Sequence, residues 1–397
     1  MKKVFAMMLA AMMVIAMFAG CGKTEAPKTP DADAPAVGDA AAVKFGLSGP
    51  LTGEASVYGM AVRAGMEIAV AEINANPDNT LKIDFKAVDD EADGSDKAVS
   101  AYNNLKDWGM QVMAGAVTTG SSLAVATECA NDEIFMLTPS ASAMDVAMTG
   151  KNVYQMCFTD PNQGASAAEL MAAKWADATI GVIYDSSDAY STGIRDGFLA
   201  RAAELNLNVV VEDAAFTRDN KSDLSTQVTQ CKDAGCDLVF LPFYYAQAAQ
   251  ILTYANTIGY APTFFGCDGM DGILNVEGFN TALAEGLVLM TPFDANAADE
   301  ATVSFVEQYK TNTKGEVPNQ FAADGYDVIY ALYTACVKAG VDGSMPADQV
   351  CAMLQEQFAA MSVDGLTGSG MTWDENGMIS KAPAAVVISG GIYVPIA

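Results

Sequence analysis

The sequence predicts an α/β protein built of two doubly wound parallel-sheet lobes. Three observations carry this. From Val43 onward, short apolar runs alternate with single amphipathic helices. The alternation occurs twice, in two series of about 115–130 residues each, a usual domain size. At 397 residues, the chain is also longer than one hydrophobic core ordinarily serves.

In the first series, "AVKFGLSG" reads as a strand, and "VYGMAVRAGMEIAVAEINAN" as a helix with apolar residues at three- and four-residue spacing. The strand "TLKIDFKAVDD", a helix from about Ser95 to Trp108 and the strand "MQVMAGAV" come next. A helix over "SSLAVATECAND" and the strand "EIFMLTP" close this series. The second begins after Asp160 with a helix to Ala176, the strand "TIGVIYD", a helix over "STGIRDGFLARAAEL" and the strand "LNVVVED". A helix near 221–234, the strand "CDLVFLPF", a helix through Ile258 and the strand "APTFFGCD" complete it. Residues 299–357 read as mostly helical, and "AAVVISGGIYV" as one final strand. Single helices between strands imply parallel pairing with right-handed crossovers.

Ahead of this body, Lys2 and Lys3 precede the 17-residue apolar run "VFAMMLAAMMVIAMFAG", which ends at Cys21. The run is short for a membrane span and exits through small residues, as a signal peptide does. "FAGC" resembles the lipobox of bacterial lipoproteins, with Phe18 in place of the commoner aliphatic residue, which makes Cys21 the expected lipid attachment point. Residues 22–42, rich in Pro and Ala, read as a disordered tether averaging ~25 Å end to end.

Composition removes whole classes of function. Acidic residues outnumber basic ones 49 to 21, a net charge of -28, which opposes binding to nucleic acid or to an anionic membrane through charge. Histidine is absent, so Ser-His-Asp and Cys-His nucleophiles and His-ligated zinc are unavailable. Cys129, Cys157, Cys231, Cys236, Cys267, Cys336 and Cys351 form no CxxC motif and read mostly as small buried apolar residues. Cys231 and Cys236 straddle a predicted helix–strand turn and could meet. Asp89, Glu91, Asp93 and Gly94 approach an EF-hand spacing, but the twelfth position is Ser100. "TGSG" at 367–370 lacks the spacing and lysine of a P-loop. No metal or cofactor is expected.

Doubly wound sheets bind ligands at the carboxyl ends of their strands. In the first series these ends are "SGPLTGEASVYG", "GAVTTGSSLA" and "TPSASAMD". Thr118, Thr119, Ser121 and Ser122 stand where a strand passes into a helix, so hydroxyls and free N–H groups converge, as an anion requires. Ser140 and Ser142 add hydroxyls, and Ala141 and Ala143 leave room to touch the main chain. The second series ends its strands in "YDSSDAYSTG", "LPFYYAQ" and "FGCDGMDG", offering Tyr190, Tyr244, Tyr245, Asp268 and Asp271 to a cation. An anion cradle opposite a cation site suggests a zwitterion, a free amino acid.

The lipobox, the tether, "GLSGPLTGEASVYG", "TPSASA", "YDSSDAYSTG" and "FGCDGMDGI", in this order, resemble the type I periplasmic-type binding proteins of branched-chain amino acid ABC transporters over residues 43–397. The resemblance implies hydroxyl contacts to the ligand carboxylate from Thr119 and Ser142, and backbone contacts from Ser140 and Ala141. It also implies an aromatic face from Tyr58, second-lobe contacts from Tyr190 and Tyr244, and an acid at Asp268 for the α-ammonium, where some members carry Glu. The family topology implies three crossings, near 159, 291 and 381. Lobe 1 is then 43–158 plus 291–380, and lobe 2 is 159–290 plus 381–397. The expectation is a lipid-anchored extracytoplasmic protein that closes on a small amino acid and hands it to an ABC permease. An amide, urea or short-peptide ligand, or a sensory role, is the alternative. A carboxylate-based hydrolase would need a close acid pair beside the Ser/Thr loops, and none is visible in the sequence.

Overall fold

The computed structural model describes residues 41–92 and 94–396. The expected signal segment, Cys21, residues 22–40 of the tether and Asp93 lie outside the described residues. The first sheet is formed by β1 (Val43–Gly49), β2 (Ile83–Asp89), β3 (Val112–Met113), β4 (Phe135–Thr138) and β5 (Val153–Gln155). Its order is β2-β1-β3-β4-β5, and every pairing is parallel. Helices α1 (Ser56–Ala75), α2 (Ser95–Asp107), α3 (Thr119–Asn131) and α4 (Met144–Ala147) link its strands.

The chain then enters a second sheet through α5 (Asp160–Lys174). That sheet holds β6 (Thr179–Asp185), β7 (Asn208–Phe216), β8 (Leu238–Leu241), β9 (Thr263–Gly266) and β10 (Val288–Thr291). Helices α6 (Ala189–Leu205), α7 (Ser225–Asp233) and α8 (Tyr245–Thr257) link β6 through β9. Helices α9 (Glu300–Asn312), α10 (Gln320–Ala339) and α11 (Ala347–Phe358) come next, then the small hairpin β11 (Val363–Gly365) and β12 (Gly368–Met371). Helix α10 packs on α1, and α11 on β4, so this stretch belongs to the first sheet's lobe. The chain finally rejoins the second sheet as β13 (Ala384–Ser389) and β14 (Ile392–Pro395), giving the order β14-β13-β10-β9-β8-β6-β7.

The final "AAVVISGGIYV" is therefore not one strand. It folds back at Gly390 and Gly391, both at positive φ, so β13 and β14 pair antiparallel with each other, and β13 antiparallel with β10. The second sheet is mixed at that edge. "MQVMAGAV" also supplies only two strand residues, because the chain leaves the sheet early, toward the start of α3.

Strands β4, β8 and β10 are buried at every residue, as expected of interior strands covered on both faces. The α1–α10 contact is close because Gly65 faces the Ala322 backbone and Gly325 faces that of Val62; any side chain there would collide with main chain. This packing brings Tyr58 of α1 against Phe321 of α10, ring centroids 4.5 Å apart. Among the described residues, no helix is long and apolar enough to cross a membrane.

Candidate functional site

A narrow cavity, about 10 Å³, lies between the two sheets, walled by Tyr58, Val117, Thr118, Thr119, Ser140, Tyr190, Tyr244, Asp268, Gly269 and Phe321. Most of these walls are helix starts. Tyr58 is the third residue of α1, Thr119 the first of α3, Tyr190 the second of α6 and Phe321 the second of α10, while Thr118 and Tyr244 are the N-caps of α3 and α8. Each parallel strand delivers the chain to the same edge, where the next helix begins with unpaired N–H groups.

On the first-lobe side, Thr118 and Thr119 are buried at the positive end of α3. Ser122 N–H is the first to find an intrahelical partner, Thr118 O at 2.9 Å, so the N–H groups before it are free to meet an anion. Ser140 reaches the cavity while its hydroxyl donates to Val117 O at 2.8 Å. Ala141 and Ser142, expected beside it, do not line the cavity. The Thr138 hydroxyl accepts Ala141 N–H at 3.1 Å and Gln155 Nε2 donates to Ala141 O at 2.6 Å, so the Ala141 main chain is already engaged in holding the loop. Ser142 sits at the first passage between lobes, where its carbonyl accepts Asp160 N–H at 3.0 Å. Its buried hydroxyl has no partner among the described residues.

On the second-lobe side, Asp268 is 4% exposed. Its Oδ1 accepts from Tyr190 OH at 2.5 Å, Gly269 N–H at 2.9 Å and Gln163 Nε2 at 3.0 Å, while its own N–H donates to Gln163 Oε1 at 2.6 Å. Burial pushes the Asp268 carboxyl up, and the hydrogen bonds from Tyr190, Gln163 and Gly269 oppose that. Burial, then the Asp268 charge, raises the Tyr190 phenol well above its ordinary value, so Tyr190 remains a donor. Tyr190 and Tyr244 stack with centroids 4.9 Å apart, forming a flat aromatic wall.

Asp271, the competing acid, points elsewhere. Its Oδ2 accepts Gln320 N–H at 2.7 Å, capping α10 of the other lobe, and burial pushes its carboxyl up to about 6. Further contacts join the lobes around the cavity. Tyr58 OH donates to Gly269 O at 2.5 Å, Tyr245 OH to Glu54 O at 2.6 Å, and Gln320 Nε2 to Asp268 O at 2.9 Å. Lys221 pairs with Glu54 at 2.5 Å at the outer rim.

Sequence reasoning missed Phe321 and Val117 on the cavity wall and Gln163 behind Asp268. Phe321 stands on a helix that comes after no strand. Gln163 and Asp160 stand on α5, beyond β5, which follows only the four-residue α4 and is not marked by the strand–helix alternation. Asp160, the first residue of α5, is 1% exposed with both carboxyl oxygens unpartnered among the described residues. Burial holds it well above the usual carboxylate range, the nearby Ser142 hydroxyl opposes this, and the Asp268 charge adds to it. The near EF-hand acids do other work: Asp89 Oδ1 accepts the N–H groups of Leu51 and Glu91, at 2.8 and 3.0 Å. Among the described residues, no cluster of potential metal ligands forms.

Residues 42–391 match the periplasmic binding protein family. The chain is 26% identical over 335 residues to the Leu/Ile/Val-binding protein BraC3 of Rhizobium johnstonii, covering 84% of this chain and 88% of that protein. It is 27% identical over 344 residues to the Leu/Ile/Val-binding protein of Escherichia coli K12, covering 84% and 87%. The solved leucine-binding protein LivK of Thermotoga maritima superposes with a TM-score of 0.78 at 26% identity, over 89% of this chain and 98% of that one. LivJ of Streptococcus pneumoniae, solved with isoleucine, gives 0.78 at 21% identity over 89% and 100%, a likeness of fold. The matched family is one of substrate-binding components rather than enzymes, and its location is extracytoplasmic. With two sheets joined by three passages of chain and a cavity between them, this protein belongs to the type I periplasmic binding proteins of the branched-chain amino acid ABC-transporter family.

Proposed function

We propose that the protein captures a free L-amino acid of the branched-chain type between its lobes and delivers it to an ABC permease. One observation carries this reading: a buried carboxylate, Asp268, and a helix start, Thr118–Thr119, wall the same small cavity. The ligand carboxylate lies against the α3 N-terminus and the hydroxyls of Thr118 and Thr119, with Ser140, whose hydroxyl is engaged with Val117 O, beside it. Its ammonium pairs with Asp268 Oδ2, the oxygen not occupied by Tyr190, Gln163 and Gly269, with Tyr190 and Tyr244 alongside. Its side chain faces Tyr58, Phe321 and Val117. Named relatives that bind Leu, Ile and Val support the ligand class.

Lobe 1 (43–158 and 291–380) and lobe 2 (159–290 and 381–397) close on the ligand about the three passages between them. The contacts of Glu54, Tyr58 and Gln320 with lobe 2 form on closure, so binding selects the closed state. Thermal unfolding tests the ligand class. An L-amino acid bound at 100 times its Kd stabilises the folded state by ~2.7 kcal/mol and raises Tm. Its amide, which lacks the carboxylate, is expected to raise Tm much less. Equal shifts would contradict the carboxylate cradle and favour a neutral ligand. Cys21 anchors the protein to the outer face of the cell membrane. Wild type is expected in the membrane fraction and Cys21→Ser in the soluble one; equal partitioning would show no lipid anchor.

A further inference from the structure

The end of α7 carries a feature that ligand capture does not use. Helix α7 finishes at Asp233, and the chain turns through Ala234 and Gly235 into Cys236, two residues before β8. Gly235 has φ +74°, and two hydrogen bonds close the turn: Gly235 N–H to Lys232 O at 3.0 Å and Cys236 N–H to Cys231 O at 3.0 Å. This pair of bonds defines the Schellman motif, which sets the side chain three places inside the helix against the one two places past its cap. Those two positions, ordinarily an apolar contact, are Cys231 and Cys236.

Both sulfurs gather over one point of the neighbouring strand. A side chain at Gly181 of β6 would begin 2.8 Å from Cys231 Sγ and 2.9 Å from Cys236 Sγ. Glycine at that position leaves the pair its space. Both thiols are buried, and both are reduced.

From this geometry we propose that Cys231 and Cys236 are a dithiol–disulfide pair, an oxidative modification site that closes a staple between α7 and β8. The oxidant is a small-molecule or protein disulfide. Cys236 thiolate attacks one sulfur of that disulfide, forming a mixed disulfide and releasing one thiolate. Cys231 thiolate then attacks Cys236 Sγ, forming the intramolecular bond and releasing the second. Two electrons leave the protein, and the two protons given up by its cysteines end on the released thiols or in solvent. The two thiols interact directly and titrate as a pair, and the same disulfide results with either cysteine as the first nucleophile.

Lys232 lies between the two cysteines, so trypsin separates them and only a disulfide holds the fragments together. The full chain is refolded from urea in a glutathione redox buffer, where burial cannot shield either thiol, then acid-quenched, alkylated under denaturing conditions and digested. The expected result is peptide 222–232 joined to the peptide beginning at Asp233, released by dithiothreitol, and lost in both Cys231→Ser and Cys236→Ser. Recovery of Cys231 and Cys236 as separate alkylated peptides from refolded wild type would overturn the proposal, as would either cysteine crosslinked to a different partner.

Discussion

Asp268→Asn is expected to abolish tight amino-acid binding while leaving the fold intact. An asparagine oxygen in the place of Oδ1 still accepts from Tyr190, Gln163 and Gly269, so the loop keeps its hydrogen bonds. The amide nitrogen then falls where the ligand ammonium docks, replacing attraction with two facing donors in a site closed to water. Losing one partner of a desolvated charge pair costs ~2–5 kcal/mol, on the order of 30-fold or more in Kd. Asp271→Asn is the matched control. Its oxygen still caps Gln320 N–H across the lobes, and the side chain is absent from the cavity wall. Isothermal titration of both variants with the same amino acid separates the roles. Near-wild-type affinity in Asp268→Asn would remove the ammonium contact from the account.

The second large effect concerns stability. Lys381 lies on the third passage between lobes, its side chain 2% exposed, donating to Asp324 Oδ1 at 2.9 Å and Thr367 Oγ1 at 2.6 Å. Asp327, beside them, accepts from Thr367 Oγ1 at 2.6 Å and from the N–H groups of Leu366 and Thr367. Lys381→Ala leaves two buried acids without their cation. Breaking a buried pair by removing one partner costs ~3–5 kcal/mol.

The loss depends on pH. Burial pushes the Asp324 carboxyl up to about 7 even though Lys381 pulls it down, so removing Lys381 raises it further. A carboxyl raised on folding contributes stability that is complete below its unfolded value, near 3.9, and is lost as pH rises through its folded value. At pH 5 the folded state of either protein holds Asp324 protonated, and the variant loses mainly hydrogen bonds and packing. At pH 8 it must also bury an unpaired charge or hold a proton against the solution. Urea unfolding at both values should therefore show the larger difference at pH 8. A pH-independent difference would mean that Lys381 acts through packing alone.

How much of this was legible in the sequence depended on whether a residue's role is local. The strand–helix alternation of both series could be read because each long helix carries its own apolar stripe. Strands β5 and β10 could not, because β5 follows only the four-residue α4 and β10 follows no α-helix, so the strand–helix alternation marks neither. The hairpin β13–β14 did carry a signal, because Gly390 and Gly391 between two apolar runs make a two-residue hairpin turn, and a single strand through them was the wrong expectation. At the cavity, Tyr58, Thr119, Ser140, Tyr190, Tyr244 and Asp268 were legible because each stands just beyond the carboxyl end of a strand. Ala141 and Ser142 stand off the cavity wall because the hydroxyl of Thr138 and the amide of Gln155 hold their loop, a competition that sequence spacing does not reveal. Phe321 reaches the cavity, and Gln163 reaches Asp268, only through helix packing and chain passages, which depend on tertiary structure.

A crystal structure of the protein bound to a branched-chain amino acid tests the central claim most directly. The α-ammonium is expected at hydrogen-bond distance, ~2.7–3.0 Å, from Asp268 Oδ2, and the carboxylate at the start of α3 against Thr118 and Thr119. A ligand in the reverse orientation, or one bound without contact to Asp268, would contradict it.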